Sequence, residues 1–158
     1  MLRFIYNHQK MKCNYKKTFI LILIILIISV AYYLISPLFR VIEVNEAKPT
    51  LKTEATSTVL RANFESREYD VKGSAEVLTL EDGQVLRFEN FETVNGPNLH
   101  IYLASDEEVT DYIDLGSIKG TKGSINYDLP MGIDLDKYNH VVVYCVPFKV
   151  TFGIAELK

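Results

Sequence analysis

Cysteine is almost missing from this chain, and the two that exist, Cys13 and Cys145, stand on opposite sides of its one long apolar run. If that run crosses a membrane they cannot pair, so the segment beyond it has no internal disulfide to staple it. Metal and hydrolase signatures are missing too. There is no C-x-x-C, no H-E-x-x-H, no G-x-S-x-G elbow, and no Cys and His at metal-ligand spacing, so no metal site is expected. The acidic stretch Asp106-Glu107-Glu108, with Asp111 and Asp114, lacks the alternation and distal Glu of a calcium loop and reads as an exposed loop. Gly116 to Ser124 has no Gly-Lys-Ser/Thr and no following helix, which leaves glycine-bearing turns between strands rather than a phosphate cradle. Basic charge is also scarce where a polyanion would need it. From Arg40 onward 12 Lys and Arg stand against 20 Asp and Glu, a balance of −8, so nucleic acid is excluded as a partner of that segment.

What the chain does have, first, is a membrane segment. Residues 19–39 carry no charge and begin Phe19-Ile20-Leu21-Ile22. As a helix these 21 residues would span roughly 31 Å at about 1.5 Å each, the thickness of a hydrocarbon core. Residues 1–18 hold Arg3, Lys10, Lys12, Lys16 and Lys17 and no acid, a balance of +5. The positive-inside rule then puts residues 1–18 in the cytoplasm and residues 40–158 outside the cell. A cleaved signal peptide is the rival, but its apolar region would be about 7–15 residues long and end in small residues. Here Tyr32-Tyr33-Leu34-Ile35 occupies the place where small residues are needed. An uncleaved single-pass anchor is therefore expected. Cys13 precedes the run, so it is not an acylated lipoprotein cysteine; it is expected as an incidental reduced thiol, with juxtamembrane palmitoylation the weaker alternative. Residues 40–58 mix charges with Thr, Ala and Pro49 and read as a mostly unstructured stalk.

From Val59 to Lys158 the pattern turns period-two and rich in turns, which predicts an all-β domain, an antiparallel sandwich or barrel of about 100 residues. Glu81-Asp82-Gly83-Gln84 reads as a hairpin turn between strands ending at Leu80 and starting at Val85. Leu99, Ile101 and Leu103 alternate inward, with His100 and Tyr102 on the other face. Val141, Val143 and Cys145 share one face of a later strand and Val142 and Tyr144 the other. Both faces of that strand are apolar, so it is expected to be central. Pro147 cannot donate a ladder hydrogen bond and marks the break before a closing strand. In that strand Val150, Phe152 and Ile154 are expected on one side and Thr151, Gly153 and Ala155 on the other. His100 and His140 are expected as surface histidines. His140 lies five residues before Cys145 on the same strand, hence on the opposite face, so the two are not expected to couple.

Several ordered stretches carry a resemblance. They are Phe88-Glu89-Asn90-Phe91, Asn95 to Leu103, Leu115 to Gly120, Gly123 to Pro130, and Tyr144-Cys145 through Phe148 and Phe152 to Ala155. In this order, from about Ala62 to Leu157, they resemble the DM-13 domain, a family with a proposed electron-transfer role often found beside DOMON domains. The resemblance implies a β domain with a redox role centred on the cysteine of its closing strands, here Cys145, acting as a bare thiol or through a bound prosthetic group. Asn98 stands where Asp is expected after Gly-Pro, which removes a carboxylate from that loop. Tyr144 stands where Trp is frequent and keeps a large aromatic. The leading expectation is a cell-surface redox module, more a carrier than an enzyme, with its cofactor and redox partner unknown. The alternative is an extracellular binding or adhesion module in which Cys145 is core. On the local residues alone a buried cysteine acting as a small hydrophobe is the default, because a thiol walled in by apolar side chains is a poor nucleophile, and it is the resemblance that puts the redox reading ahead.

Overall fold

A computed structural model describes residues 2–36, 40–49, 60–80 and 82–158. The chain divides into two compact units, with the boundary between residues 37 and 38. The first contains helix α1, Leu2–Ile35, which runs through the basic tail as well as the apolar stretch. Its segment Tyr15–Tyr33 has a mean hydropathy of 2.0 and is long and apolar enough to cross a membrane. The expected span of residues 19–39 overruns this helix, and its last three residues lie outside the described ones.

The second unit is built of strands. They are β1 (Glu43–Asn45), β2 (Leu60–Asn63), β3 (Glu65–Ser66), β4 (Val71–Leu80), β5 (Gly83–Thr93), β6 (Leu99–Ala104), β7 (Tyr112–Ser117), β8 (Lys122–Leu129), β9 (His140–Cys145) and β10 (Val150–Glu156). They form two five-stranded sheets, β1-β8-β5-β4-β2 and β3-β10-β9-β6-β7. The result is a sandwich, which settles the choice left open between sandwich and barrel. All pairs are antiparallel except β1 with β8. The chain changes sheets at Phe64, whose ring turns into the core and packs edge-on to Phe88 at 5.0 Å.

Alternation in β6 and β9 produces this core. Leu99, Ile101, Leu103, Val141, Val143 and Cys145 all face inward and are buried, as their spacing predicts. Val142 and Tyr102 pack on the outer face of the same sheet. Strand β9 lies between β10 and β6, the central place expected for it. The closing strand departs from simple alternation. A bulge between Thr151 and Gly153 shifts the register, so Phe152, Ala155 and Leu157 face the main core while Ile154 joins Val142 and Tyr102 outside. An extra residue in one strand reverses the facing of everything after it.

Part of the expected stalk is also ordered. Strand β1 lies inside residues 40–58 and pairs Val44 with Gly123. Beyond it Glu46 accepts from the Asn126 backbone N–H, and Asn126 Nδ2 donates to Ala47 O at 3.0 Å. Lys48 Nζ donates to Glu76 at 2.7 Å. The polar composition that made this stretch look unstructured is what it uses to bind the outer face of the first sheet. The rest of the expected stalk, residues 50–58, lies outside the described residues.

Candidate functional site

Cys145 ends β9, paired with Val150 of β10 and Leu99 of β6. It is 0% exposed. Its Sγ–H donates to Pro97 O at 3.3 Å, a weak hydrogen bond that ties the strand end to the loop between β5 and β6. The turn at Val146-Pro147-Phe148-Lys149 puts the break between β9 and β10 where the proline predicts it.

At this end of the sandwich the start of β4, the end of β5, the start of β8 and the β9–β10 turn come together. They leave a cleft of about 660 Å³ whose lining includes Cys145. Its apolar wall is built by Tyr69, Phe152, Phe148, Val94 and Val150. The Tyr69 and Phe152 rings lie 4.2 Å apart. Phe148 is 69% exposed at the turn. Gly96 is required here, because a Cβ on it would stand 2.9 Å from Cζ of Phe152. The charged lining residues balance, with Arg40 and Lys72 against Asp70 and Glu92. Two threonines complete the wall. Thr121 Oγ1 accepts from Ile42 N at 2.9 Å, whereas buried Thr93 Oγ1 has no hydrogen-bond partner.

The other chemistry-bearing side chains lie away from the cleft. His140 is at the opposite end of β9 from Cys145, so the two do not couple. His100, expected on the open surface, is instead clamped. Its Nδ1 lies 2.9 Å from Asp114 Oδ2, and its Nε2 lies 3.3 Å from both Asn98 Oδ1 and Ser117 Oγ. This array bridges β6 and β7 where their register shifts, and none of its residues lines the cleft. Behind Cys145, on the outer face, Tyr144 packs on Tyr102 at 5.1 Å and Tyr102 stacks on Tyr112 at 4.3 Å. Burial first, then the Asp114 charge, pushes the Tyr102 hydroxyl up to about 12. Asp106 to Asp111 is a surface loop, and no group of three metal-ligating side chains exists among the described residues.

Reading along the sequence found Cys145 but not the wall around it. Tyr69, Thr93 and Arg40 carry no motif, and their elements converge only in the fold. Gly96, Pro97, Phe148 and Phe152 did stand within the stretches that carried the family resemblance.

The fold and site together define a β-sandwich domain with one free thiol at the edge of an end cleft. A family model described as "Electron transfer DM13" matches residues 63–157, and the chain belongs to that family. No curated protein and no solved structure matches it. A prosthetic group of the kind the family implies has space in the cleft and an unsatisfied hydroxyl to meet it, but no cluster of ligands for a metal among the described residues.

Proposed function

We propose that this protein is a single-pass cell-surface module, N-terminus in the cytoplasm and β domain outside, that carries electrons through the site at Cys145. The observation that carries this reading is the free Cys145 thiol on the lining of a cleft large enough for a ligand, within an electron-transfer family. The anchor rests on the apolar segment of α1, and the orientation on the +5 balance of residues 1–18.

The test is the thiol itself. Folded full-length protein in detergent micelles is treated with a small thiol reagent, and Cys145 is expected to react or to be protected by a bound group that can be released. Cys145→Ser is expected to abolish redox activity while keeping the β-sheet spectrum and melting temperature near those of the parent. A second reading, a binding or adhesion module with a structural cysteine, draws on the complete burial of Cys145 and its bond to Pro97 O. An inert thiol, no bound group, and a Cys145→Ser form that is merely less stable would establish that second reading.

A further inference from the structure

Besides Cys145, whose thiol is taken up by Pro97 O, the cleft is lined by a residue whose polar group the domain leaves unsatisfied. Thr93 is 9% exposed and its Oγ1 is buried without a partner. A buried hydroxyl in that state is a standing cost that an acceptor on a ligand would remove. The remaining wall restricts what that ligand can be. Tyr69 is 46% exposed and is held by the buried Phe152 ring 4.2 Å behind it, so its outer face is open to a flat ring. The balance of Arg40 and Lys72 against Asp70 and Glu92 gives no net charge to favour an anion or a cation. The volume of about 660 Å³ suits a single small molecule.

Sequence order adds the phase from which the ligand comes. Arg40 and Val41, both on the cleft wall, follow shortly after the last residue of the apolar helix, Ile35. A flat, neutral, carbonyl-bearing ring that is carried in lipid and accepts electrons is a quinone. We propose that the cleft binds the ring of a membrane-soluble quinone, its carbonyl accepting a hydrogen bond from the Thr93 hydroxyl and its face lying against Tyr69. This rests on the reading of the protein as an anchored redox module, and it assigns that module its small-molecule partner.

The experiment titrates duroquinone into the full-length chain in detergent micelles and follows binding by calorimetry. Every ring position of duroquinone carries a methyl group, which blocks addition of the Cys145 thiol. Saturable one-to-one binding is expected. Thr93→Val keeps the branched shape without the hydroxyl and is expected to weaken binding about tenfold, equivalent to about 1.4 kcal/mol. Phe148→Ala, at an exposed turn and so no risk to folding, is expected to weaken it as well. Uptake that never saturates, or equal affinity in parent and Thr93→Val protein of equal melting temperature, overturns the proposal. Displacement of duroquinone by flavin mononucleotide but not by decylubiquinone would overturn it in favour of an anionic aromatic ligand. The two readings fail separately. A reactive Cys145 with no duroquinone site removes the quinone and leaves the redox role, while a duroquinone site beside an inert Cys145 removes the thiol's part in that role and leaves the quinone.

Discussion

Burying a guanidinium on a sheet face costs heavily unless its donors are taken up, and the surroundings of Arg87 do this. Its Nε donates to Glu89 at 2.6 Å, and its Nη1 donates to Asn126 Oδ1 at 2.8 Å and Glu46 O at 3.2 Å. Glu89 in turn accepts from Ser124 Oγ at 2.8 Å. The Arg87 hydrogen bond is the main force holding the Glu89 carboxyl below its usual value of 4.5, against the opposing effect of burial. A carboxyl with a lowered folded value stabilises the fold at pH above its unfolded value, and that contribution disappears as pH falls through the folded one. The domain is therefore expected to lose melting temperature on acidification below pH 4.5. Glu89→Gln keeps the shape but not the charge and is expected to cost about 1.5 kcal/mol near neutral pH, as for a charged hydrogen bond. Its melting temperature should then vary less with pH in the acid range. Parallel acid profiles for parent and variant would show that Glu89 is not the group responsible.

Among the elements, β1 depends most on a residue outside itself. Gly123 has φ +117, and a Cβ there would lie 2.1 Å from Val44 O. Alanine at 123 would thus be strained in its own backbone and would collide with the backbone of β1. Gly123→Ala is expected to detach β1, and with it Arg40 and Val41 of the cleft wall, while the four other strands of that sheet keep their pairing. The measurement is the rate at which a small thiol reagent modifies Cys145, with circular dichroism as the check on folding. A rise in rate with the β spectrum retained is expected; a folded variant with an unchanged rate would mean that this wall does not shield the cleft. The same strand shows where sequence patterns stop being informative. β6 and β9 were legible because six consecutive residues alternate and each face packs on its own apolar layer. β1 has only three residues, Glu43-Val44-Asn45, and its pairing is decided by a glycine far along the chain. Ile154 was placed on the wrong face because a bulge leaves no mark in the alternation of β10. The cleft escaped for a related reason. Its wall is strand ends and turns, and period-two reading describes strand middles.

At the scale of the whole molecule, charge is distributed along the chain in the sense a membrane would sort. The five bases of residues 1–18 precede the apolar segment, and the surplus of eight acids follows it. Basic flanks are retained on the cytoplasmic side, and acidic domains pass across largely regardless of their charge. The orientation proposed above can be read with one substitution. Met131 is 91% exposed between β8 and β9, so Met131→Cys presents a thiol on the surface of the sandwich without disturbing its core. On intact cells, a membrane-impermeant maleimide is expected to label the Met131→Cys protein and to leave Cys13 unlabelled until the membrane is permeabilised. Protease added outside should remove residues 40–158 and spare the N-terminus. Labelling of Cys13 on intact cells, with position 131 protected, would reverse the orientation. A soluble product starting near residues 30–40 would instead make the apolar segment a cleaved signal, and the lipid-phase source argued for the cleft ligand would fall with it.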